Sequence, residues 1–309
     1  MRIIVSNSNK QNFFPVFGLL FGAVCWGIIW YPYRLMAEAG YSGVVSSFYT
    51  YSMATLMGAV LFARHWRRVT ALPTSAIILS AVAGWTNLSY VLAVIDGEVM
   101  RVMLLFYLSP LWTLILAHFW LKERIHRNGM LAIMASLLGA LIMLHDFNGS
   151  GWPLPRNQAE WLALSSGIGF SLTNVITRRS THLSIASKSM LVWAGVAVMA
   201  LMLLPILGQQ APAMSVFNAQ QWQLMLLIAV LLMAATLFVQ YGVTKITAIR
   251  ASVLFLFELV VAAVASYYLA NEAMTWNEWL GGGLIIAAAL ISAMQPAHHD
   301  ESIGIKPAD

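Results

Sequence analysis

The sequence predicts an all-α membrane protein in which ten transmembrane helices form two inverted five-helix repeats around a central cavity. Three observations predict this fold. Of the 309 residues, 60% are hydrophobic and only 9% are charged, whereas soluble domains carry roughly 25% charged residues. Several apolar runs reach the about 20 residues that a helix needs to cross a bilayer. A segment similar to one of these runs also occurs about 150 positions later in the chain.

Ten apolar segments are predicted as transmembrane helices, and most connections between them are short. In chain order they are residues 14–33, 44–62, 75–95, 101–121, 129–145, 159–177, 187–207, 222–242, 251–270 and 278–295. Segment 146–158 is rich in Gly, Pro and polar residues, which indicates a loop. We therefore expect one repeat in 1–145, a periplasmic linker at 146–158, the second repeat in 159–295 and a cytoplasmic tail at 296–309.

The Lys and Arg residues indicate the orientation of these spans, because cytoplasmic loops are enriched in both residue types. With the N-terminus inside, 14 of the 17 Lys and Arg residues fall in inside segments and 3 fall outside. This bias predicts that both termini are cytoplasmic. The first apolar run is too long for a cleavable signal and no small-residue cleavage site follows it, so we expect it to remain as an anchor.

The fourth and ninth spans contain the two copies of the repeated stretch. Residues 101–123 read RVMLLFYLSPLWTLILAHFWLKE, and residues 250–272 read RASVLFLFELVVAAVASYYLANE. They align without a gap, so that Phe106 meets Phe255. Because each half has an odd number of spans, the second half is inverted relative to the first, as in many secondary transporters. The alternative is that the halves look alike only because all membrane helices are apolar.

The first and sixth spans carry matching helical stripes, whose members are three or four residues apart. One stripe holds Gly18, Gly22, Trp26, Trp30 and Tyr33, and the other holds Ser166, Phe170, Asn174 and Thr177. The aromatic end of the first stripe indicates either a cavity wall or an interfacial aromatic belt. The belt is the favoured interpretation for Trp30, Tyr31 and Tyr33, whereas both stay open for Trp26, which lies deeper. Phe170 and Asn174 are candidate substrate contacts, and the alternative for Asn174 is a hydrogen bond between helices.

The third and fourth spans supply further candidates for a substrate site. Asn87 and Tyr90 share a helical face, and a tyrosine with an apolar ring and a polar tip suits an amphipathic substrate. The alternative for Tyr90 is a hydroxyl that bonds a neighbouring helix. Tyr107 lies one turn before Pro110, which removes a backbone donor and breaks the helix. Broken helices that line a cavity are typical of transporter sites, although such a kink can also simply shape the bundle. Trp112 follows as another candidate.

Glu258 lies eight residues into the otherwise apolar ninth span. An ionisable group inside a membrane is costly and is by default functional. Glu258 is expected to hold an ammonium group, to exchange protons or to accept hydrogen bonds from a neighbouring helix. Glu123 and Glu272 lie at span ends, where a solvated helix terminus is the expected environment.

Several classes of protein are disfavoured by what the sequence lacks. It contains no phosphate-binding loop and no hydrolase or metalloprotease motif, so we expect neither enzymatic activity nor a cofactor. The single Cys25 excludes an intrachain disulfide and a Cys-based metal site. Loop charges explain the net charge of +5, so no nucleic-acid partner is expected. The expected partners are a small-molecule substrate and the lipid bilayer, and ten spans in one chain predict a monomer.

Residues 107–125, YLSPLWTLILAHFWLKERI, resemble the fourth-helix signature of the drug/metabolite transporter superfamily, in its EamA-type branch. That signature is a small residue and Pro, an apolar run, then Leu-x-Glu-Arg. Residues 256–275, LFELVVAAVASYYLANEAMT, resemble the ninth-helix version, in which Glu-Pro precedes the run. Glu258 matches the family's glutamate, but Leu259 replaces the proline, so the ninth helix is expected to be straighter than is usual in the family.

Within this superfamily, the many tryptophans and the single ten-span chain are most similar to the bacterial aromatic amino acid exporters. The resemblance implies a central cavity, alternating access and export across the bacterial inner membrane. The expected substrates are small amphipathic metabolites, above all aromatic or other apolar amino acids. The alternative within this class is a proton-coupled exporter of cationic drugs, with Glu258 as the coupling acid. A non-transporting receptor or scaffold is the alternative from a second class.

Overall fold

A computed structural model of the protein describes residues 7–63, 73–97, 99–123, 127–144, 155–269 and 275–294. These residues are mostly helical and include no β-strand. The helices are α1 (Asn7–Glu38), α2 (Gly43–Leu61), α3 (Thr74–Asp96), α4 (Val99–Phe106), α5 (Ser109–Leu116), α6 (Arg127–Leu144), α7 (Gln158–Arg179), α8 (Ile185–Ile206), α9 (Ala219–Lys245), α10 (Ala248–Phe255), α11 (Phe257–Leu269) and α12 (Trp276–Met294). Most of the predicted linker, the predicted tail and Glu272 lie outside the described residues.

Most of these helices are apolar along most of their length. Within the described part of the chain, six segments are long and apolar enough to cross a membrane, namely Phe13–Glu38, Gly43–Leu61, Thr74–Ala93, Ile185–Ile206, Ala219–Lys245 and Ala248–Leu269. Three shorter apolar segments are Ser109–Leu121, Arg127–Ile142 and Trp279–Ser292. Helix α7 occupies the predicted sixth span but carries more polar residues. The chain is therefore a multi-pass membrane protein.

Polar side chains begin several of the helices by accepting a hydrogen bond from a backbone N–H group of the first turn. These N-cap residues are Ser42, Asn157, Ser184, Asn218 and Thr247, before α2, α7, α8, α9 and α10. Each such cap contributes about 1 kcal/mol to the stability of its helix. The ends of the helices are thus specified locally, in addition to the apolar pattern.

The packing of the helices repeats when each is exchanged for its counterpart in the other half. The counterparts are α1 and α7, α2 and α8, α3 and α9, the pair α4–α5 and the pair α10–α11, and α6 and α12. Helix α1 packs along α9, and its counterpart α7 packs along α3. Helix α1 also contacts α10 and α11, just as α7 contacts α4 and α5. The two halves therefore share one packing plan.

Two pairs of counterpart helices pack directly against each other, α2 with α8 and α6 with α12. Both pairs are antiparallel. Gly58, near the end of α2, faces Met190 near the start of α8. Gly139, near the end of α6, faces Gly281 near the start of α12. An inverted repeat produces this arrangement, because the counterpart helices cross the membrane in opposite directions.

Both copies of the repeated stretch are broken, and the breaks match in position. Helix α4 ends at Phe106 and α5 begins at Ser109, directly before Pro110. Helix α10 ends at Phe255, and α11 begins at Phe257. Because Phe106 aligns with Phe255, the two breaks occupy equivalent places in the halves.

The ninth predicted span is interrupted at one residue, and its straightness relative to the family stays a prediction. Leu256 interrupts the helix, although no proline follows it. The Leu256 N–H group donates to the Val253 carbonyl at 3.2 Å, and the Leu256 carbonyl accepts from the Leu259 N–H group at 3.1 Å. Both are contacts between residues three positions apart, which tighten the backbone into a 3₁₀-like turn. The backbone N–H group of Leu259 therefore makes one of the two hydrogen bonds of this turn, and a proline at position 259 could not make it.

Candidate functional site

Four aromatic rings meet where the two helix breaks face α1 and α7. The centroid of the Phe170 ring lies 5.6 Å from that of Phe106 and 5.1 Å from that of Phe255. Trp26 lies 6.1 Å from Phe255 and 6.4 Å from Phe170. Trp26 and Phe170 are counterparts, as are Phe106 and Phe255. We call these four residues the central aromatic cluster, and its composition places it at the junction of the two halves.

Helix α7 approaches the first break closely because it has small residues there. A Cβ atom added to Gly167 would lie 2.6 Å from the Phe106 carbonyl oxygen, so any larger residue would separate the two backbones. One turn later, the Ser171 hydroxyl donates to the Ser109 carbonyl at 2.7 Å. The Ser171 hydroxyl therefore adds a hydrogen bond between α7 and the backbone at the first break.

Glu258 lies directly after the second break, in the first turn of α11. A Cβ atom added to Gly27 of α1 would lie 2.9 Å from the Glu258 carbonyl oxygen. Gly27 is the counterpart of Ser171, and Glu258 aligns with Ser109. The same approach of helix to break therefore occurs in both halves, but only the second break carries an acidic side chain.

The Glu258 carboxylate is partly exposed and accepts a hydrogen bond from the Tyr107 hydroxyl. Tyr90 lies within electrostatic range of the same carboxylate, and the centroid of its ring is 4.9 Å from that of Phe106. We call Tyr90, Tyr107 and Glu258 the polar triad. It joins two tyrosines of the first half to a carboxylate of the second half, beside the central aromatic cluster.

Five of the eight predicted substrate contacts therefore lie together, namely Trp26, Tyr90, Tyr107, Phe170 and Glu258. Phe106 and Phe255 complete this group, although the sequence alone did not single them out as contacts. Their alignment in the repeated stretch, next to a helix break, was the available signal.

The other three predicted contacts make no ring contact or hydrogen bond to this group among the described residues. The Asn87 amide nitrogen donates to the Tyr51 hydroxyl of α2 at 2.9 Å. The indole N–H group of Trp112 and the amide nitrogen of Asn174 are buried without a hydrogen-bond partner. A buried donor without a partner is costly, and it is available to a ligand or to a rearranged neighbour.

The expectation of an interfacial belt at the end of the first span is wrong for Tyr33. Its hydroxyl lies 3.1 Å from the Thr50 hydroxyl and 3.4 Å from the Ser47 hydroxyl. Tyr33 therefore packs inward and joins α1 to α2.

The expectation of a solvated Glu123 is also wrong, because this side chain is only 3% exposed. Its carboxylate accepts from the Arg178 Nε–H group at 2.7 Å and from the backbone N–H groups of Ala248 at 3.0 Å and Ile249 at 3.4 Å. Arg178 also donates to the Ile246 carbonyl. We call this network the inner latch, because it joins the two halves at the end of the bundle that the Lys and Arg bias assigns to the cytoplasm.

An unusual backbone segment presents Glu123 to its partners. A π-helical turn, Ala117–Leu121, continues α5, and Lys122 follows in the left-handed region with a φ of 55°. The Glu123 N–H group then donates back to the Ala117 carbonyl at 3.2 Å. Non-glycine residues with such a φ are uncommon and concentrate at functional sites. Here the turn directs the carboxylate into the bundle.

A groove of ≈ 450 Å³ lies at the opposite end of α9 from the inner latch. It runs between the end of α1 and the start of α9, and residues including Leu35, Asn218 and Gln221 line it. None of the predicted substrate contacts belongs to this lining. Among the described residues, no group of three or more His, Cys, Asp or Glu side chains is placed to hold a metal ion.

Comparisons with known proteins agree with this arrangement of two similar halves. A solved structure described only as "Crystal structure of protein" is 15% identical to this chain, with a TM-score of 0.71, and the match covers 93% of this chain and 97% of that chain. That likeness shows the fold alone, and the curated proteins contain no match. The model of the EamA-like transporter family matches twice, at residues 13–145 and 157–294. The chain therefore belongs to the EamA-like transporter family, within the drug/metabolite transporter superfamily.

Proposed function

We propose that this protein is a secondary carrier that exports small amphipathic metabolites across the bacterial inner membrane, and that its substrates are aromatic or other apolar amino acids. Family membership supports membrane transport. The observation that supports the substrate class is the polar triad beside the central aromatic cluster. Aromatic faces suit an apolar or aromatic side chain, and the hydroxyl groups of Tyr90 and Tyr107 suit the polar end of a zwitterion.

The proposed mechanism is alternating access by ten spans in two inverted halves, around a cavity that opens at the central aromatic cluster. The halves rock about this region, as in other carriers built from inverted repeats. In the conformation described here, the inner latch ties the halves together at the end assigned to the cytoplasm. Substrate would enter after Glu123 leaves Arg178. We propose that one chain forms the whole pathway, with both termini in the cytoplasm.

Efflux from proteoliposomes tests this function. Vesicles are loaded with labelled phenylalanine, tryptophan, threonine or a nucleoside, and we expect efflux of the aromatic amino acids only in vesicles that contain the protein. Phe170→Ala should slow that efflux about tenfold, because it removes ring contacts at the centre of the cluster. Phe119→Ala is the matched control, since Phe119 is 72% exposed. Folded protein that passes none of the amino acids would contradict the proposal.

A proton-coupled exporter of cationic compounds is the second candidate, and the position of the Glu258 carboxylate beside the central aromatic cluster favours it. Glu258→Gln separates the two candidates, because the amide oxygen still accepts the hydrogen bond from Tyr107 but cannot exchange a proton. For an amino acid carrier, downhill phenylalanine efflux should stay within about threefold of the wild type, since a neutral hydrogen bond contributes only about 1 kcal/mol. For a cation exporter, transport driven by a pH gradient should stop. A receptor or scaffold would show neither flux nor a thermal shift with substrate.

A further inference from the structure

Lys188 is a second ionisable group in the interior, and the proposed transport path does not yet use it. It lies in the first turn of α8, and its side chain is completely buried, with 0% exposure. The Nζ atom donates to the Thr244 hydroxyl of α9 at 3.0 Å. An ammonium group has three donors, and this neutral hydroxyl is the one partner that the described residues supply.

The charges around Lys188 are positive. Lys245 directly follows Thr244 in the chain, and Arg178 donates to the Ile246 carbonyl two residues beyond Thr244, so both cations lie near Lys188. It is not part of the ion pairs Arg178–Glu123 and Arg34–Glu38 that the described residues form. The first turn of α8 also directs the positive end of the helix dipole at this position. A buried ammonium group with positive neighbours is unfavourable, and inside a membrane such a group is by default functional.

Gln240 provides an acceptor one helical turn before Thr244 in α9. The Thr244 hydroxyl that binds Lys188 also donates to the Gln240 backbone carbonyl at 2.7 Å, one turn earlier in α9. The side-chain oxygen of Gln240 is buried without a hydrogen-bond partner. The region therefore combines a cationic donor that lacks a counter-ion with an acceptor that lacks a donor, which is the complement of a zwitterion.

The inner latch indicates how this region changes during transport. In the closed inner end, Glu123 from the first half neutralises Arg178. When the halves separate at this end, Glu123 must leave, and Arg178 and Lys188 then lack a carboxylate. We propose that Lys188 and Arg178 form a carboxylate-binding site at the inner end, where the cytoplasmic solute replaces Glu123 and Gln240 accepts from its ammonium group. This inference rests on the proposed amino acid transport for the identity of the solute.

Benzoate tests the site without depending on transport, because it has a carboxylate but no ammonium group. Binding to the full-length protein in phosphatidylcholine nanodiscs is measured by tryptophan fluorescence, with benzamide as the neutral comparison. In the Glu123→Gln variant, whose latch is weakened, benzoate should bind at least about tenfold more tightly than benzamide, since hydrogen bonds to charged groups are the stronger ones. Adding Lys188→Met should abolish this preference. Adding Arg179→Met, which removes a charge from an exposed neighbour, should not.

Three results would overturn the inference. One is equal binding of benzoate and benzamide, and another is a preference for benzoate that survives Lys188→Met. The third is a loss of benzoate binding when phosphatidylglycerol replaces phosphatidylcholine in the nanodiscs. In that case an anionic lipid headgroup, rather than a solute, would occupy the site.

A second measurement needs no latch variant. In inside-out vesicles, Lys188→Met should raise the KM for phenylalanine about tenfold, by loss of the same charge-assisted contact, and an unchanged KM would contradict the site. Failure of every amino acid to cross, together with Lys188-dependent benzoate binding, would overturn the proposed function and leave the carboxylate site standing.

Discussion

The Glu123 carboxylate accepts hydrogen bonds from three donors in the opposite half of the molecule. Arg178 supplies a guanidinium, and the start of α10 supplies the N–H groups of Ala248 and Ile249. Each is a charge-assisted contact to a carboxylate, and the dipole of α10 adds to their effect. Removing one member of a buried ion pair is costly, because the other charge remains buried.

We expect Glu123→Gln to lower the free energy of unfolding by about 2 kcal/mol, which is below the about 3–5 kcal/mol of a fully buried pair, because the Arg178 side chain is 22% exposed. Unfolding in sodium dodecyl sulfate, followed by tryptophan fluorescence, measures this change. Glu38→Gln is the control, since its pair with Arg34 is exposed and should contribute less than about 0.5 kcal/mol. Equal losses in the two variants would show that the inner latch does not stabilise the fold.

The two broken helices are the elements that shape the site. Their breaks arise differently, because Pro110 follows the first while Leu256 forms the second through contacts between residues three positions apart. They converge because α1 and α7 bring small residues to equivalent carbonyl groups. The breaks also turn Phe106 and Phe255 toward Phe170. The close approach of a glycine thus helps to build the central aromatic cluster.

Gly167→Ala tests this dependence on close approach. The new Cβ atom would lie 2.6 Å from the Phe106 carbonyl oxygen, and we expect a loss of about 1–3 kcal/mol, as for other overpacked interiors. Gly283→Ala in α12 is the matched control, because an added Cβ atom there meets nothing within 4 Å and a helical alanine gains up to about 1 kcal/mol. Thermal unfolding in detergent compares the two variants. A neutral Gly167→Ala would mean that α7 can move away from the break at no cost.

At the scale of the whole molecule, the two halves share one packing plan but differ in their polar residues. Glu258 aligns with Ser109 and Tyr107 aligns with Leu256, so the polar triad has no equivalent related by the repeat. In the proposed mechanism, a symmetric frame with an asymmetric site would let the halves rock as similar bodies while the substrate meets different groups on each side. The inner latch is one described contact between the halves that would open in this motion.

A cross-link across the inner end tests whether the halves separate there. A Cβ atom added to Gly129 of the first half lies 4.0 Å from Ile249 Cγ2 of the second. In a Cys25→Ala background, a short bifunctional thiol reagent should therefore join Gly129→Cys to Ile249→Cys and stop phenylalanine efflux until reduction. The pair Gly282→Cys and Val260→Cys lies within one half, with an added Cβ atom 3.8 Å from Val260 Cγ2, and should not stop it. Efflux through a fully cross-linked inner pair would contradict alternating access at this end.

The helices were predictable because their signals are local. In a bilayer, a long apolar run satisfies its backbone polar groups only as a helix, so the helical segments fall where the apolar runs predicted them. Pro110 is also a local signal. Leu256 is not, because an ordinary apolar residue carries no sequence signal of a helix interruption. Helix α1 continues to Glu38, beyond its apolar run, and the apolar pattern alone did not predict this extension.

The candidate site was predictable only in part. Trp26, Tyr90, Tyr107, Phe170 and Glu258 stand out because polar or bulky aromatic residues in apolar helices are conspicuous. Their assembly was beyond the sequence, since the rings that connect them belong to Phe106 and Phe255, which look like ordinary lipid-facing or core residues.

The sequence by itself determined the membrane environment, the repeat and the family, because composition, periodicity and the motif around Pro110 are properties of neighbouring residues. Only the tertiary structure decided which charges are paired. Glu123 finds its partners 55 and 125 positions away, and Lys188 meets Thr244 at a separation of 56. The energy of a buried charge depends on what surrounds it in space, and separation along the chain does not reveal those surroundings.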